Sequence, residues 1–153
     1  MLNWQQICEN LNTGKSGGGD AVNKPLLLLF ILTAAAKGEA NHFVFPRCEA
    51  ALRDAQQRFG SDPESSPHMA FWHLQSDGCW QVEHAATIPL GKDQKRPNVS
   101  TMRELKVSGR VPDSLWKQLV QRPILRRELA TFLLEKYFSD AERLKVAVYF
   151  WLN

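Results

Sequence analysis

The sequence predicts an α+β fold: a mostly helical single domain with a small antiparallel β-hairpin or sheet. Two observations predict it. Apolar residues recur at helical spacing in several segments that begin at a proline or a capping residue, whereas only one pair of aromatic-rich runs flanks a tight-turn signal. The chain has 153 residues, 44% of them hydrophobic, which is enough for one buried core. This composition excludes a wholly disordered or collagen-like chain.

The first two expected helices are separated by a glycine-rich loop. Residues 1–12 carry Trp4, Ile7, Cys8 and Leu11 at helical spacing, which indicates an amphipathic helix. Residues 12–23 contain several glycines, which favour an irregular chain. Pro25 suits the first position of a helix, because its missing N–H group would be unpaired there. Leu26–Ala36 is apolar on nearly all sides, so we expect it to be the central core helix.

A strand, a helix and a hairpin are expected next. Asn41–Phe45 is a short strand candidate that ends at Pro46, and Arg47–Phe59 has an apolar stripe at helical spacing. Met69–Leu74 and Cys79–Val82 are aromatic-rich runs on either side of an Asp-Gly pair. Because glycine accepts the positive φ of tight hairpin turns, this pattern predicts a β-hairpin.

The C-terminal half is expected to be helical after a basic loop. Thr101–Val107 favours a short helix, and Pro112–Val120 a second one. Pro123–Phe138 has the spacing of a longer amphipathic helix. Ser139 is a good capping residue for a last helix that runs toward Trp151.

Positive charge is concentrated in one segment. The whole chain has 19 Lys and Arg against 16 Asp and Glu, a formal charge of +3. Between Gly91 and Arg110, six basic residues accompany only two acids, Asp93 and Glu104, a local excess of four charges. This excess suits a polyanion such as DNA, although a solvated surface would show the same pattern. The six are Lys92, Lys95, Arg96, Arg103, Lys106 and Arg110.

The sequence has no persuasive catalytic, cofactor or metal motif. Gly14-Lys15-Ser16 resembles the end of a phosphate-binding loop, but Glu9 stands where that motif requires glycine. The four histidines do not have the spacing of a zinc site. The three cysteines are odd in number and form no C-x-x-C pair, so we expect buried thiols. We therefore expect no cofactor and no metal site.

Two other functions stay open. The carboxylates of Asp93 and Glu104 could hold Mg²⁺ while Lys106 neutralises the developing charge, as in a metal-dependent nuclease. The basic loop could instead bind an acidic partner protein. The longest apolar stretch, Pro25–Ala36, is too short to span a bilayer, and the N-terminus lacks the pattern of an export signal. We therefore expect a cytoplasmic protein without membrane contact.

Three motifs resemble one known family. Asn23–Leu29 is similar to a His-Lys/Arg-Pro sequence before a leucine run. Met69–Trp80 is similar to Tyr-Pro-Phe-Trp-x-Leu-x-x-Asp-Gly, and Gly109–Pro112 to a turn that leads into a helix. In this order and spacing, over roughly residues 12–138, the motifs resemble the sulfur-binding domain of phosphorothioate-dependent, McrA-type restriction endonucleases. Those enzymes join the domain to an HNH nuclease.

The resemblance implies a function. Residues 1–153 would be one sulfur-binding domain, the N-terminal part of a longer nuclease, with no catalytic role of its own. Its partner would be double-stranded DNA in which sulfur replaces a non-bridging phosphate oxygen, read in a short sequence context. Sulfur is larger and more weakly hydrated than oxygen, so an apolar pocket accepts it at little cost, whereas a charged oxygen buried there is penalised.

The resemblance also implies site residues. Met69 and Ala70 stand where the family has Tyr-Pro and would form an apolar cup, with His73 packed beside them. Asn23, which replaces the family's histidine, and Lys24 would approach the phosphorothioate. The remaining cations would contact DNA, either a base edge (Lys95 and Arg96) or the backbone (Lys92, Arg103 and Arg110).

Overall fold

The computed structural model describes residues 3–13, 15–16, 19–20, 22–59 and 66–152. Within these ranges the fold class is the expected one, mostly helical with small antiparallel sheets. The helices are α1 (Trp4–Glu9), α2 (Asn23–Ala36), α3 (Phe45–Phe59), α4 (Pro67–His73), α5 (Val99–Glu104), α6 (Asp113–Gln121), α7 (Pro123–Tyr137) and α8 (Asp140–Leu152). The strands are β1 (Lys15–Ser16), β2 (Gly19–Asp20), β3 (Phe43–Val44), β4 (Gln81–Val82) and β5 (Ser108–Arg110).

Helix α2 is the centre of the core, as the sequence predicts. It contacts α3, α4, α6, α7 and α8, so side chains on all its sides are covered. Leu26, Leu27, Leu29 and Ile31 are each fully buried. The helix begins at Asn23, two residues before the predicted start. An apolar helix in this position supplies the surface against which the rest of the domain packs.

A three-stranded antiparallel sheet with the order β3-β5-β4 lies beside this core. Gly109 in β5 pairs with Phe43 on one side and Val82 on the other. A Cβ atom at Gly109 would lie 2.1 Å from Cζ2 of Trp80, so the close approach of that indole requires glycine. The Trp80 Nε1 donates to the Phe71 carbonyl at 2.8 Å, which joins the sheet to α4.

The predicted hairpin over Met69–Leu74 and Cys79–Val82 is wrong. The first run lies in α4 and in a 3₁₀ turn (Leu74–Asp77), and only the end of the second run forms a strand, β4. Gly78 does adopt a positive φ, +87°, but it ends the 3₁₀ turn instead of joining two strands. Tertiary packing against α2 and α3 overrides the β-propensity of the aromatic side chains.

The other elements differ from their predictions mainly at the ends. Pro46 does not stop a strand but is the second residue of α3. Helices α5 to α8 begin and end within three residues of the predicted boundaries. In the glycine-rich loop, residues 15–16 pair with residues 19–20 as an antiparallel ladder. Residues 14, 17, 18 and 21 of that loop lie outside the described ranges.

The cysteines are buried free thiols, as predicted. Burial raises the pKa of Cys8 and of Cys48 to about 12, and also raises the pKa of Cys79. These thiols therefore stay protonated and pack as small apolar side chains. In the described ranges, none of the helices combines the length and hydrophobicity needed to cross a bilayer.

Candidate nucleic-acid interface

One face of α4 combines an apolar and a polar side chain at the surface. Met69 and His73 are four residues apart, which places them one above the other on the same face of the helix. Met69 is 37% exposed and His73 is partly exposed. Ala70, the other predicted wall of the cup, is only 3% exposed and belongs to the hydrophobic core.

The basic segment forms a compact turn between residues 91 and 98. The Gly91 N–H donates to the Arg96 carbonyl at 2.7 Å, and a carboxylate oxygen of Asp93 accepts from the Lys95 N–H at 3.0 Å. A Cβ atom at Gly91 would lie 2.6 Å from Oδ1 of Asn98, so the chain closes tightly there. We call residues 91–98 the basic turn. Its hydrogen bonds fix the positions from which its cations project.

Arg96 connects the basic turn to α4. Its Nε donates to the His73 Nε2 at 2.8 Å, and its Nη1 lies 3.3 Å from Oδ2 of Asp93. The Arg96 side chain is 23% exposed, so the guanidinium is held without being sealed from solvent. Because Nε is a donor, the His73 Nε2 must be the unprotonated nitrogen of a neutral ring. The contact holds Arg96 against the face of α4 that also carries Met69.

A depression of about 340 Å³ adjoins this contact. The Lys92 side chain is at the surface of the turn, as is that of Lys95. His68 forms the α4 side of the depression, where its Nδ1 lies 2.7 Å from the Ser66 Oγ. The lining side chains belong to His68, Lys92, Asp93, Arg96, Pro97 and Asn98.

Both histidines of α4 favour the neutral form. Burial lowers the pKa of His68 and of His73, and the neighbouring Arg96 charge lowers each of them further. Lys24 and Lys95 also lower the pKa of His73, while Asp93 raises it. At neutral pH the positive charge of this surface therefore comes from lysine and arginine.

The structure places Lys24 in a buried ion pair. Its Nζ lies 2.6 Å from Oδ2 of Asp77 and 2.6 Å from the Asn12 carbonyl oxygen. The second Asp77 oxygen accepts from the Asn12 N–H at 2.9 Å. Only 8% of the Lys24 side chain and 4% of the Asp77 side chain are exposed. Asn23 is equally buried at the start of α2, so neither predicted residue presents its side chain at the open surface.

Arg103 and Arg110 also have carboxylate partners. Arg103 forms two hydrogen bonds with Glu49, of 2.8 and 2.6 Å, and these lower the pKa of that carboxyl. Arg110 pairs with Asp113 where β5 leads into α6. About half of the Arg103 side chain and a third of the Arg110 side chain remain exposed. These two cations join elements of the fold and keep part of their surface.

The ten predicted residues therefore form separate groups. Met69, His73, Lys92, Lys95 and Arg96 lie on α4 and the basic turn. Asn23, Lys24 and Ala70 are buried beneath the surface. Arg103 and Arg110 lie on α5 and β5, outside the turn.

Sequence reasoning missed the partners of the cations. Glu49 is buried on α3, where a charge on the inward face could have indicated a partner. The Asp-Gly pattern indicates only a turn at Asp77, and the spacing of the histidines gives no sign that His68 borders a surface depression. Within the part of the chain that the structure describes, no three histidine, cysteine or carboxylate side chains converge as around a metal ion.

Comparisons with known proteins give consistent results. The sequence matches the model of a family described as "ScoMcrA-like, DNA sulfur-binding domain" over residues 4–147. The fold superposes on the sulfur-binding domain of ScoMcrA complexed with phosphorothioated DNA with a TM-score of 0.83 at 18% identity, covering 98% of this chain and 99% of that one. For the sulfur-binding domain of SprMcrA complexed with phosphorothioated DNA, the TM-score is 0.76 at 19% identity, with 96% and 91% covered.

A longer structure matches as well. The Type IV phosphorothioation-dependent restriction endonuclease ScoMcrA gives a TM-score of 0.83 at 19% identity. The match covers 99% of this chain but 33% of that enzyme, so the sequence spans about a third of its length. No curated protein sequence matches the chain.

Proposed function

The chain belongs to the family of ScoMcrA-like DNA sulfur-binding domains, and from that premise we propose that it binds double-stranded DNA carrying a phosphorothioate linkage. The surface formed by α4 and the basic turn is the binding site, and it reads the modification in a short sequence context. The observation that carries this proposal is the 2.8 Å contact between Arg96 and His73, because it holds a cationic turn against the helix whose same face carries the exposed Met69.

Met69 supplies the apolar contact for sulfur. Its thioether is polarisable and apolar, and more than a third of the residue is open to a ligand. A phosphate oxygen pressed against it would lose hydrogen bonds to water. That loss costs roughly 1–3 kcal/mol, more for a charged oxygen, which corresponds to about tenfold to more than hundredfold discrimination. Ala70 supports the cup from the core side and does not need to touch the ligand.

The predicted polar residues have three roles in this proposal. Lys92, Lys95 and Arg96 lie on the basic turn and contact DNA directly, with Arg96 or Lys95 reaching a base edge. Arg103 and Arg110 add contacts to the sugar-phosphate backbone through their exposed portions. Asn23 and Lys24 support the site from below, since the Lys24 charge acts on His73 although its side chain is buried.

The domain acts by binding, and cleavage belongs to a nuclease domain elsewhere in the complete protein. This division follows the length of ScoMcrA, which is three times that of the matched segment. The role requires access to cellular DNA, in agreement with the cytoplasmic location expected from the sequence. In this arrangement the recognised linkage recruits the nuclease to modified DNA.

The test compares matched duplexes that differ by one sulfur atom. Fluorescence anisotropy with fluorescein-labelled duplexes should give at least about tenfold tighter binding of the phosphorothioate form in the preferred dinucleotide context. Met69→Ser should remove most of this preference, because a hydroxyl hydrates and bonds the oxygen form, whereas Met69→Leu should retain it. Equal affinity of the wild-type chain for both duplexes in every dinucleotide context would contradict the proposal.

The same preparations separate binding from catalysis. Each duplex is incubated with the wild-type chain and Mg²⁺, and the products are resolved on a denaturing gel. Intact DNA is the expected result. Cleavage that Glu104→Ala abolishes would show that the chain is the Mg²⁺ nuclease considered from its sequence, with Asp93 and Lys106 as partners.

A further inference from the structure

His73 occupies a position that the family motif leaves open. The motif reads Phe-Trp-x-Leu, and His73 stands at x between Trp72 and Leu74. The His73 Nε2 accepts a hydrogen bond from the Arg96 Nε.

This hydrogen bond determines how the guanidinium is presented. Arginine has five N–H donors in a rigid plane. The Nε–H is taken by His73 and one N–H of Nη1 by Asp93, which leaves one N–H of Nη1 and both of Nη2 for a ligand. Two contacts to different atoms of a planar group fix both its position and its orientation. Bidentate recognition of a guanine edge or a phosphate needs such a fixed plane.

The contact exists in only one protonation state of His73. A neutral imidazole with its proton on Nδ1 presents a lone pair on Nε2, and this lone pair accepts the hydrogen bond. After protonation, Nε2 carries a hydrogen that faces the Arg96 Nε–H, so two donors and two positive charges oppose each other. The ring can then no longer hold the guanidinium.

The groups around His73 favour the neutral ring. The basic turn contributes the positive charges of Arg96 and Lys95 and the negative charge of Asp93, and α2 contributes that of Lys24. On α4 itself, the other titratable neighbour is His68. Burial acts most strongly, Arg96 and Lys95 outweigh Asp93, and the charge of Lys24 is partly offset by its partner Asp77, so His73 stays unprotonated at neutral pH.

We propose that His73 is a positioning residue whose neutral imidazole holds Arg96 for DNA recognition, so that protonation of His73 releases Arg96 and weakens binding. This rests on the proposed function of the same surface. The predicted direction is unusual, because a histidine beside DNA ordinarily adds positive charge and tightens binding as the pH falls. Here the lost orientation of Arg96 outweighs the added charge.

The experiment measures anisotropy of the preferred phosphorothioate duplex between about pH 7.5 and pH 5 for three proteins. His73→Gln keeps an oxygen acceptor that does not titrate, and His73→Ala removes the acceptor. At neutral pH, His73→Gln should bind within about threefold of wild type, and His73→Ala about tenfold or more weakly. As the pH falls, the affinity of wild type for the duplex should decrease toward that of His73→Ala. The affinity of His73→Gln divided by that of wild type should rise about tenfold.

Two controls separate positioning from stability and from charge. His42→Gln removes a histidine that is half exposed near Glu83, and its pH profile should follow wild type. Adding His73→Ala to Arg96→Ala should cause no further loss of affinity, because the positioned group is already absent. Circular dichroism melting at each pH shows that the compared proteins are folded.

The outcomes distinguish this proposal from the proposed function. If wild type prefers the phosphorothioate duplex but all three proteins share one pH profile, His73 does not position Arg96. Tighter binding by wild type than by His73→Gln at low pH would also overturn the proposal, because His73 would then act as a cation. Absence of a phosphorothioate preference at neutral pH would instead overturn the proposed function.

Discussion

Lys24 and Arg96 were both expected to contact DNA, yet the structure holds them differently. Lys24 lies under α4 with a carboxylate, Asp77, 2.6 Å from its Nζ and almost no exposed surface. Arg96 lies on the basic turn, where its Nε donates to a neutral imidazole and its Nη1 lies 3.3 Å from the half-exposed carboxylate of Asp93; 23% of its side chain is exposed. The first cation is paired with a buried carboxylate, whereas the second is paired with a half-exposed one and keeps three of its donors.

The difference shows that the partner of a cation, more than its place in a motif, decides what it can bind. A buried carboxylate cancels the positive charge and uses the strongest hydrogen bonds of the ammonium group. A neutral imidazole fixes the geometry of a guanidinium without cancelling its charge, and the half-exposed Asp93 carboxylate, screened by solvent, offsets that charge less than a buried carboxylate would. Arg103 lies between the two cases, since Glu49 takes two of its donors while about half of the side chain stays exposed.

The largest effect is expected from breaking the buried pair. Asp77→Ala should lower the free energy of unfolding by about 3–5 kcal/mol, because the Lys24 ammonium would remain buried without its counter-charge. The measurement is urea denaturation followed by circular dichroism. Asp113→Ala is the matched control, because Asp113 also pairs with a cation, Arg110, but its side chain is 86% exposed. The cost of this substitution should stay below about 1 kcal/mol.

A double substitution provides a second test of the buried Lys24–Asp77 pair. Replacing both partners by apolar residues, as in Lys24→Met with Asp77→Leu, should recover part of the stability lost in Asp77→Ala, because no buried charge is then left unpaired. If Asp77→Ala costs no more than Asp113→Ala, the ion pair does not stabilise the fold and the contrast with Arg96 disappears.

Removing Arg96 should affect binding more than folding. Arg96→Ala is expected to weaken phosphorothioate-duplex binding about tenfold to a hundredfold, since a hydrogen-bonded charge is lost from the ligand surface. Anisotropy titration gives the affinity, and thermal melting shows whether the fold is retained. Arg127→Ala removes one exposed charge from α7, outside the basic turn, and should change affinity less than about twofold. Equal losses in the two variants would assign Arg96 only a general electrostatic role.

The family and most helices could be predicted because their signals are local. Three motifs in a fixed order indicated the family, and the family match over residues 4–147 confirms it. The central helix was recognisable because Leu26–Ala36 has no polar face. Cysteine burial also followed from composition, since three unpaired thiols without metal-ligand spacing pack as apolar residues.

The region of the proposed binding site, α4 and the 3₁₀ turn after it, was predicted least well. Phe71 and Trp72 have high β-propensity. The Asp-Gly pair after them is as typical of a hairpin turn as it is of a helix end. Pro67 after Ser66 was the signal for the correct element, because proline at the first position favours a helix start. The partners of Lys24 and Arg96 could not be predicted, because Asp77 and His73 reach them through tertiary packing over 53 and 23 positions of sequence.

The histidines of α4 should make stability depend on pH. Burial lowers the pKa of His68 and His73 in the folded chain. Just below the ordinary histidine range, the unfolded chain therefore binds more protons than the folded chain does. Stability should therefore be constant above that range and fall as the pH drops from about 6.5 toward the lowered values. Urea denaturation across this window should show a smaller decline for His68→Gln with His73→Gln. A decline unchanged in the double variant would contradict the assignment.

The smallest effect is expected from removing Lys95, whose ammonium group is not held in a fixed orientation. Lys95 is exposed on the basic turn, and only its backbone N–H is bonded to Asp93, so its ammonium can meet a phosphate from many orientations. Lys95→Ala should weaken binding a few-fold at low salt and reduce the slope of log affinity against log salt by about 0.9, one phosphate contact. Lys145→Ala on α8 should leave that slope unchanged. If Lys95→Ala instead alters base preference at constant slope, Lys95 reads a base, and the orientation of Arg96 serves the phosphate.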